Sequence, residues 1–492
     1  LSETASAEIA VVGAGPGGYA AAFHAADLGL SVVLIDPEAD PGGVCLYRGC
    51  IPSKALLHVA RLIEESRAAS DWGVRFGEPE IDLGRLRAWK GEVVGRLTGG
   101  LGQLRKQRGI DYVRGRARFR DARTLDVETS SGERRTVRFG HAIVATGSSP
   151  TTIPGFPADP ERVLDSTSAL DVAEVPRTLL VVGGGYIGLE LGSVYAALGS
   201  RVTLVEMLDA LLPGVDPDLV RPLARVLGER FEAIHTGTRV ANLDIAGRGV
   251  LARLEGGGAD GAPREFDRVL VAVGRRPASA DLGFERTRVR IDEAGFVRVD
   301  GQMRTDEPTI LAIGDVVGQP MLAHKAAHEA RVAIAAARGG KAVFEPAAIP
   351  AVVFTDPEIA WCGLTEREAR GAGREVAVAR FPWAASGRSA TLGRGEGLTK
   401  LVIEPGSERV LGVGIVGPGA GELIAEGVLA VEMAAQASDL ELTIHPHPTL
   451  SETLMEAAGV FFGRGTHVHR PRKGGAAVAR PGERPSERER ES

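Results

Sequence analysis

Two glycine-rich turns constrain this chain more than any other feature. The first reads Glu8-Ile-Ala-Val-Val-Gly13-Ala-Gly15-Pro-Gly-Gly18, and the second Leu179-Leu-Val-Val-Gly183-Gly-Gly185-Tyr-Ile-Gly188. A short, continuous apolar run ending at glycine is the pattern of a parallel strand buried on both faces. The residues after each turn predict helices reaching about Leu28 and Leu198. A second apolar run follows each helix, over 31–35 and 201–205, and ends at an acid, Asp36 or Glu206. The acid trails the first glycine by 23 residues in both copies, 13 to 36 and 183 to 206.

Strand, glycine turn, helix and acid-tipped strand form the βαβ unit that holds a dinucleotide. The glycines allow a sharp turn and close approach to a pyrophosphate, and the helix start offers free amides to it. The acid accepts hydrogen bonds from a ribose diol. Two sites are therefore expected, at Gly13, Gly15, Gly18 and Asp36 and at Gly183, Gly185, Gly188 and Glu206. Glu206 would repel a 2′-phosphate, and residues 207–212 contain no arginine to neutralise one, so the second site is expected to take NAD.

The first unit runs into Gly42-Gly-Val-Cys45-Leu-Tyr-Arg-Gly-Cys50-Ile-Pro-Ser-Lys54. Two thiols sit five residues apart at the entry to a helix expected from Ser53, and a helix start favours the thiolate, the reactive form. With three cysteines in 492 residues there is no disulfide framework, which points to a reducing compartment. Without further Cys or His at ligand spacing, no metal site is expected. The pair reads either as inert buried thiols or as a redox disulfide, and the neighbouring nucleotide turn favours the second. Cys362 has no partner in sequence and is expected to be a buried structural thiol. A nicotinamide moves hydride, whereas a dithiol is oxidised by thiolate exchange, and a flavin connects the two chemistries. The first unit, beside the thiols, is thus assigned FAD and the second NAD.

Elsewhere, helices are expected over 53–70 and 84–107, and buried strands over 267–273 and 309–313. From about Ile349, strands over 351–354 and 409–416 and helices over 421–435 and 449–458 suggest an α+β domain. The fold class is α/β, with two Rossmann-like dinucleotide-binding domains and a C-terminal α+β domain. From 466 to 492 the chain is rich in Pro, Gly, Arg and Glu and is expected to be a disordered tail, whose His467 and His469 are too few to argue for a metal. With 58 Lys and Arg against 64 Asp and Glu, the net charge of −6 does not suggest a nucleic-acid partner. No run is apolar enough to cross a membrane, and residues 1–7 carry no secretory pattern, so a cytoplasmic protein is expected.

Four segments carry a resemblance: Gly-Gly-Val-Cys45 through Lys54-Ala-Leu-Leu, Thr305 to Asp315 ending Ala-Ile-Gly314-Asp315, Pro320-Met-Leu-Ala323-His-Lys, and Ile444-His-Pro-His447-Pro-Thr-Leu-Ser-Glu452. Over residues 8 to about 463 the chain resembles the flavin-dependent pyridine nucleotide–disulfide oxidoreductases. Within them it looks most like the branch that oxidises protein-bound dihydrolipoamide with NAD+. The resemblance implies an FAD-binding domain in two parts (1–150, with the redox disulfide, and 281–348). It also implies an NAD-binding domain (151–280) and a dimerisation domain (349–465).

By the same resemblance Cys45 meets the substrate, and Cys50 is the thiolate against the flavin. Lys54 lies near the flavin and pairs with Glu190, and Asp315 binds the ribityl hydroxyls. Ala117, Gly147 and Ala323 touch FAD through backbone, and Val240 and Gly274 touch NAD. His447 is the general base and Glu452 orients its ring, since a carboxylate partner raises an imidazole's ordinary pKa of about 6.5. His445 is left as structural, and the His447–Pro448 peptide is expected to be cis. The implied partners are a second copy of the chain and a lipoyl-bearing acyltransferase or carrier protein.

The loop Leu46-Tyr47-Arg48-Gly49 departs from the Leu-Asn-Val-Gly usual in the family. Arg48 either favours the thiolate or is simply solvated. Glutathione-type and mercuric reductases fit less well. Two competing roles stay open: a binding subunit docked on an acyltransferase core, and a diaphorase that does not need its thiols.

Overall fold

The computed structural model describes residues 4–257 and 261–468. They form two compact units. One holds residues up to 214 with 224–346 and 353–356, and the other holds 215–223, 347–352 and the chain from 357 onward.

The first unit is built around β1 (Thr4–Val12), α1 (Pro16–Asp27) and β2 (Val32–Asp36). After them come α2 (Gly43–Arg48), α3 (Cys50–Ala68) and α4 (Leu83–Gln107), then β3 (Asp111–Asp121), β4 (Thr124–Thr129) and β5 (Arg134–Val144). β1 lies parallel between β2 and β5; β3 joins beyond β2, and the strand Ile310–Ala312 joins beyond β5. Ile9, Ala10 and Val11 are buried on both faces, which is why this strand reads as an unbroken apolar run. β3 and β5 also reach past the parallel sheet to pair antiparallel with β4. Gly115 marks the crossing, where a side chain would run into the carbonyl oxygen of Glu128.

The second glycine turn stands on its own parallel sheet of Ala233–His235, Arg201–Val205, Thr178–Val182, Arg268–Val271 and Val163–Leu164, in that order. The helix Tyr186–Leu198 begins and ends where the sequence suggests. A small antiparallel sheet of Thr238–Ala246, Gly249–Gly256 and Pro263–Phe266 was not foreseen.

In the second unit, Glu358–Gly363, Val410–Gly417, Leu398–Ile403 and Ala377–Pro382 pair antiparallel in that order. The helices Ala420–Glu432, Ala437–Leu442 and Glu452–Phe461 pack with them around Trp383, Phe381, Leu401 and Ile415. Residues 215–223, which the sequence reading placed with the NAD-binding domain, belong to this unit. The reason is Lys400, whose side chain is 2% exposed and whose Nζ meets Asp216 at 2.9 Å, Asp218 at 2.9 Å and Glu366 at 2.6 Å. A buried ammonium stays charged only where carboxylates surround it, so the segment bearing the two aspartates is held here. The Leu219 side chain fills the space above Gly414.

Residues 466–468, expected to open the tail, are instead held against the second unit. Glu456 accepts the Thr466 amide at 3.1 Å and pairs with His467 Nδ1 at 2.8 Å, and Val468 packs on the core. Residues 469–492, most of that expected tail, lie outside the described residues. The His447–Pro448 peptide is cis, and so is Gln319–Pro320, which nothing in the sequence signalled.

Candidate active site

Gly13 has φ +98°, and a side chain there would strike the Ala145 carbonyl, so the first turn tolerates only glycine. A side chain on Gly18 would strike the Gly13 carbonyl, so Gly18 sets how closely α1 packs behind the turn. Asp36 closes the turn from the end of β2. It accepts the Ala14 amide at 2.7 Å and the Glu38 amide at 2.9 Å. Burial pushes its carboxyl above the usual range, against the pull of the Ala14 hydrogen bond and of the Arg48 and Arg116 charges.

In front of this turn lies a cavity of about 1560 Å3, larger than the several hundred cubic ångströms typical of a drug-sized ligand. Gly13, Gly15, Asp36, Lys54, Ala117, Gly147, Asp315 and Ala323 all line it, as do both Cys45 and Cys50. Gly18 does not, because it faces the strand side of α1.

Cys45 lies in α2, and Cys50 is the first residue of α3. The helix begins three residues before the expected Ser53. Pro52 does not prevent this, since a missing amide costs nothing in the first turn. The two thiols are free and adjacent. Cys50 is lowered to about 7: the Cys45 thiol donates to it, burial opposes, and the Lys54 ammonium adds to the lowering. Cys45 is pushed far up by that same donation and by burial. Lys54 Nζ meets Glu190 Oε2 at 2.7 Å, and its ammonium stands 4.5 Å from the Phe354 ring centre. Glu190, 4% exposed, accepts the Phe354 amide at 2.9 Å with its other oxygen.

Three residues that steady the cavity were missed in the sequence. Ser148 Oγ donates to Asp315 at 2.5 Å and receives Arg275 Nε at 2.7 Å. Glu329 accepts the Gly314 amide at 2.7 Å and pairs with Lys325 at 2.7 Å, which fixes the turn carrying Asp315. A Lys and a Glu four apart in an alanine-rich helix were the available signal for the latter.

At the second turn Gly183 has φ +113°. Glu206 accepts the Gly184 amide at 2.6 Å and the Leu208 amide at 2.8 Å, so the acid at the strand end again braces its turn. A side chain on Gly185 would meet nothing within 4 Å, which leaves the face of the turn open to a pyrophosphate, and a side chain on Gly188 would strike the Gly183 carbonyl. Val240 sits in the small antiparallel sheet, and Gly274 (φ +120°) accepts the Thr151 amide at 3.0 Å. Neither lines the thiol cavity.

His447 and Glu452 belong to the second unit. His447 Nδ1 meets Glu452 Oε1 at 2.9 Å, and the histidine side chain is 72% exposed, so Nε2 is open to a reactant. Burial of Glu452 is outweighed by hydrogen bonds from the Thr449 amide and from His447, and its carboxyl stays below the usual range. His445 is held on both sides, by Glu426 at 2.9 Å and the Thr443 carbonyl at 2.9 Å, as suits a structural residue. Cys362 is buried in its strand, and burial pushes its thiol up to about 12.

Two nucleotide turns, with a polarised thiol pair in the cavity of the first, define a flavin- and nicotinamide-dependent disulfide reductase. Residues 7–330 match the family described as pyridine nucleotide-disulphide oxidoreductase, and residues 349–458 match its dimerisation domain. The chain belongs to this family, whose cofactors are FAD and NAD(H), and it carries the family's dimerisation domain. It is 47% identical over 94% of its length to the dihydrolipoyl dehydrogenase of Vibrio parahaemolyticus, covering 97% of that protein. It is likewise 47% identical over 94% of its length to that of Thermus scotoductus, covering 98% of it. Among solved structures, LpdA from Mycobacterium tuberculosis superposes with a TM-score of 0.85 at 28% identity, over 92% of this chain and 99% of that one. The HOCl-induced flavoprotein disulfide reductase RclA of Escherichia coli does so at 0.82 and 28%, with the same coverage. Among the described residues no helix is long and apolar enough to cross a membrane.

Proposed function

We propose that this protein oxidises dihydrolipoamide, carried on a lipoyl-bearing acyltransferase or carrier protein, to lipoamide and passes the electrons to NAD+. The work is that of a cytoplasmic 2-oxo acid dehydrogenase or glycine cleavage complex. The observation that carries this reading is the placement of Cys45 and Cys50, free and side by side, in the cavity of the first nucleotide turn with the Lys54–Glu190 pair beside them.

In the oxidised protein the two sulfurs are joined. A substrate thiol gives its proton to Nε2 of His447, whose ring Glu452 holds through Nδ1. The resulting thiolate attacks Cys45 Sγ, the Cys45–Cys50 bond breaks, and its electron pair leaves on Cys50. Cys50 is suited to leave because the Lys54 ammonium stabilises its thiolate. The second substrate sulfur then attacks the substrate sulfur in the mixed disulfide, its proton passing to the departing Cys45 sulfur, so that lipoamide and the Cys45 thiol are released. Bound FAD supplies the route by which this electron pair reaches NAD+ as hydride. FAD would be held by Gly13, Gly15, Asp36, Ala117, Gly147, Asp315 and Ala323, and NAD by Gly183, Gly185, Gly188, Glu206, Val240 and Gly274. His447 would come from a second copy, so the functional unit is a homodimer. The NAD-binding segment would span 151–280 apart from residues 215–223, and the second FAD segment 281–346.

Replacing Cys45 by Ser tests the reading. Lipoamide turnover should vanish while transfer from NADH to a quinone persists. Equal retention of both activities would leave a diaphorase instead.

A further inference from the structure

Tyr47 and Arg48 are the two residues by which the intercysteine loop departs from its family, and both reach back to one place. The Tyr47 hydroxyl donates to the Asp40 carbonyl at 3.0 Å and accepts the Asp40 amide at 3.3 Å. The Arg48 guanidinium is paired with the Glu38 carboxylate. Residues 37–42 form the stretch that leaves Asp36, the acid expected to hold the adenosine ribose. Glu38, Arg48 and Asp36 all line the cavity there. Arg48 is therefore spent on the loop and on the field around Asp36, while the acidity of Cys50 comes from Cys45 and Lys54.

We infer that Tyr47 and Arg48 are positioning residues for the cofactor. They staple residues 37–42 against the adenosine end of the flavin cavity and slow the release of FAD, and they do not set the potential of the thiol pair. The inference rests on the proposed function, in that the cavity is taken to hold FAD. In contrast to a helix-borne charge aimed at the sulfurs, a staple of this kind acts on how long the cofactor stays.

The test compares flavin-loaded wild type with Arg48→Val, Glu38→Gln, Tyr47→Phe and the Arg48→Val/Glu38→Gln double variant. FAD release is followed by the fluorescence of free flavin after dilution. Arg48→Val should lose FAD about fivefold faster, the factor expected for one partly exposed ion pair. Glu38→Gln should match it, and the double variant should be no worse than either single. Tyr47→Phe should also release faster, and Arg48→Lys should restore most of the retention. The two-electron potential should stay at the wild-type value throughout. Release at the wild-type rate in Arg48→Val, additive losses in the double variant, or a shifted potential with unchanged release would each overturn the inference. A wild type that takes up no FAD would overturn the proposed function and this inference with it; equal release rates from loaded proteins overturn this inference alone.

Discussion

Cys50 owes its acidity first to the thiol that donates to it and next to the ammonium of Lys54. Its thiol lies below the ordinary cysteine value, so the thiolate persists as pH falls toward about 7 and is lost below that. Lys54→Met removes a favourable charge, so alkylation of the reduced protein by iodoacetamide should need a higher pH, with the midpoint moving upward. An unmoved midpoint would assign the effect to Cys45 alone. At this scale the sequence pointed to the side chains proposed to do chemistry, since Cys45, Cys50, His447 and Glu452 sit in specific local patterns. It could not reveal what steadies them. Glu190 and Lys54 were paired by family likeness, but Ser148, Arg275 and Glu329 act through partners far along the chain or through a backbone amide. Arg48 has two readings in the sequence because its pairing with Glu38 depends on how the loop folds back.

The turns explain why glycine is required at some positions of each motif and merely tolerated at others. Gly18 lets α1 lie against the turn, and a methyl there would be forced into the Gly13 carbonyl. Gly18→Ala should therefore destabilise the protein by about 1–3 kcal/mol, the usual cost of overpacking, and should purify with little flavin. Thermal unfolding and the flavin-to-protein absorbance ratio check this; a fully loaded variant of wild-type stability would contradict it. Gly185→Ala, by contrast, meets open space and should fold normally. Strands and helices flanking both turns were legible because buried parallel strands read as unbroken apolar runs. The start of α3 was not, because Ser53 after a proline imitates a helix cap while Pro52 is tolerated inside the first turn. The antiparallel sheet after His235 was also missed, its alternation being interrupted by the bulge at Val240.

For the whole molecule, the thiols and the histidine dyad lie in different compact units, and the second unit matches a dimerisation domain. If each site takes its base from the other copy, mixing two inactive variants should rebuild activity. Cys45→Ser and His447→Gln homodimers, dissociated and reassociated together, should recover roughly a quarter of wild-type turnover, since half the dimers carry one intact site. No recovery would place base and thiols in one copy. The expected domain order came from the two motifs and the change of strand and helix pattern from about Ile349. The transfer of residues 215–223 to the second unit was not legible, because it depends on a buried lysine at 400 choosing aspartates some 180 positions away. The relay from dithiol through Cys45 and Cys50 to flavin is tested most directly by the absorption spectrum of the purified protein before and after anaerobic dihydrolipoamide. It predicts a flavin spectrum that gains a long-wavelength thiolate-to-flavin band, absent in Cys50→Ser; a protein without flavin, or a flavin spectrum the dithiol leaves unchanged, would contradict it.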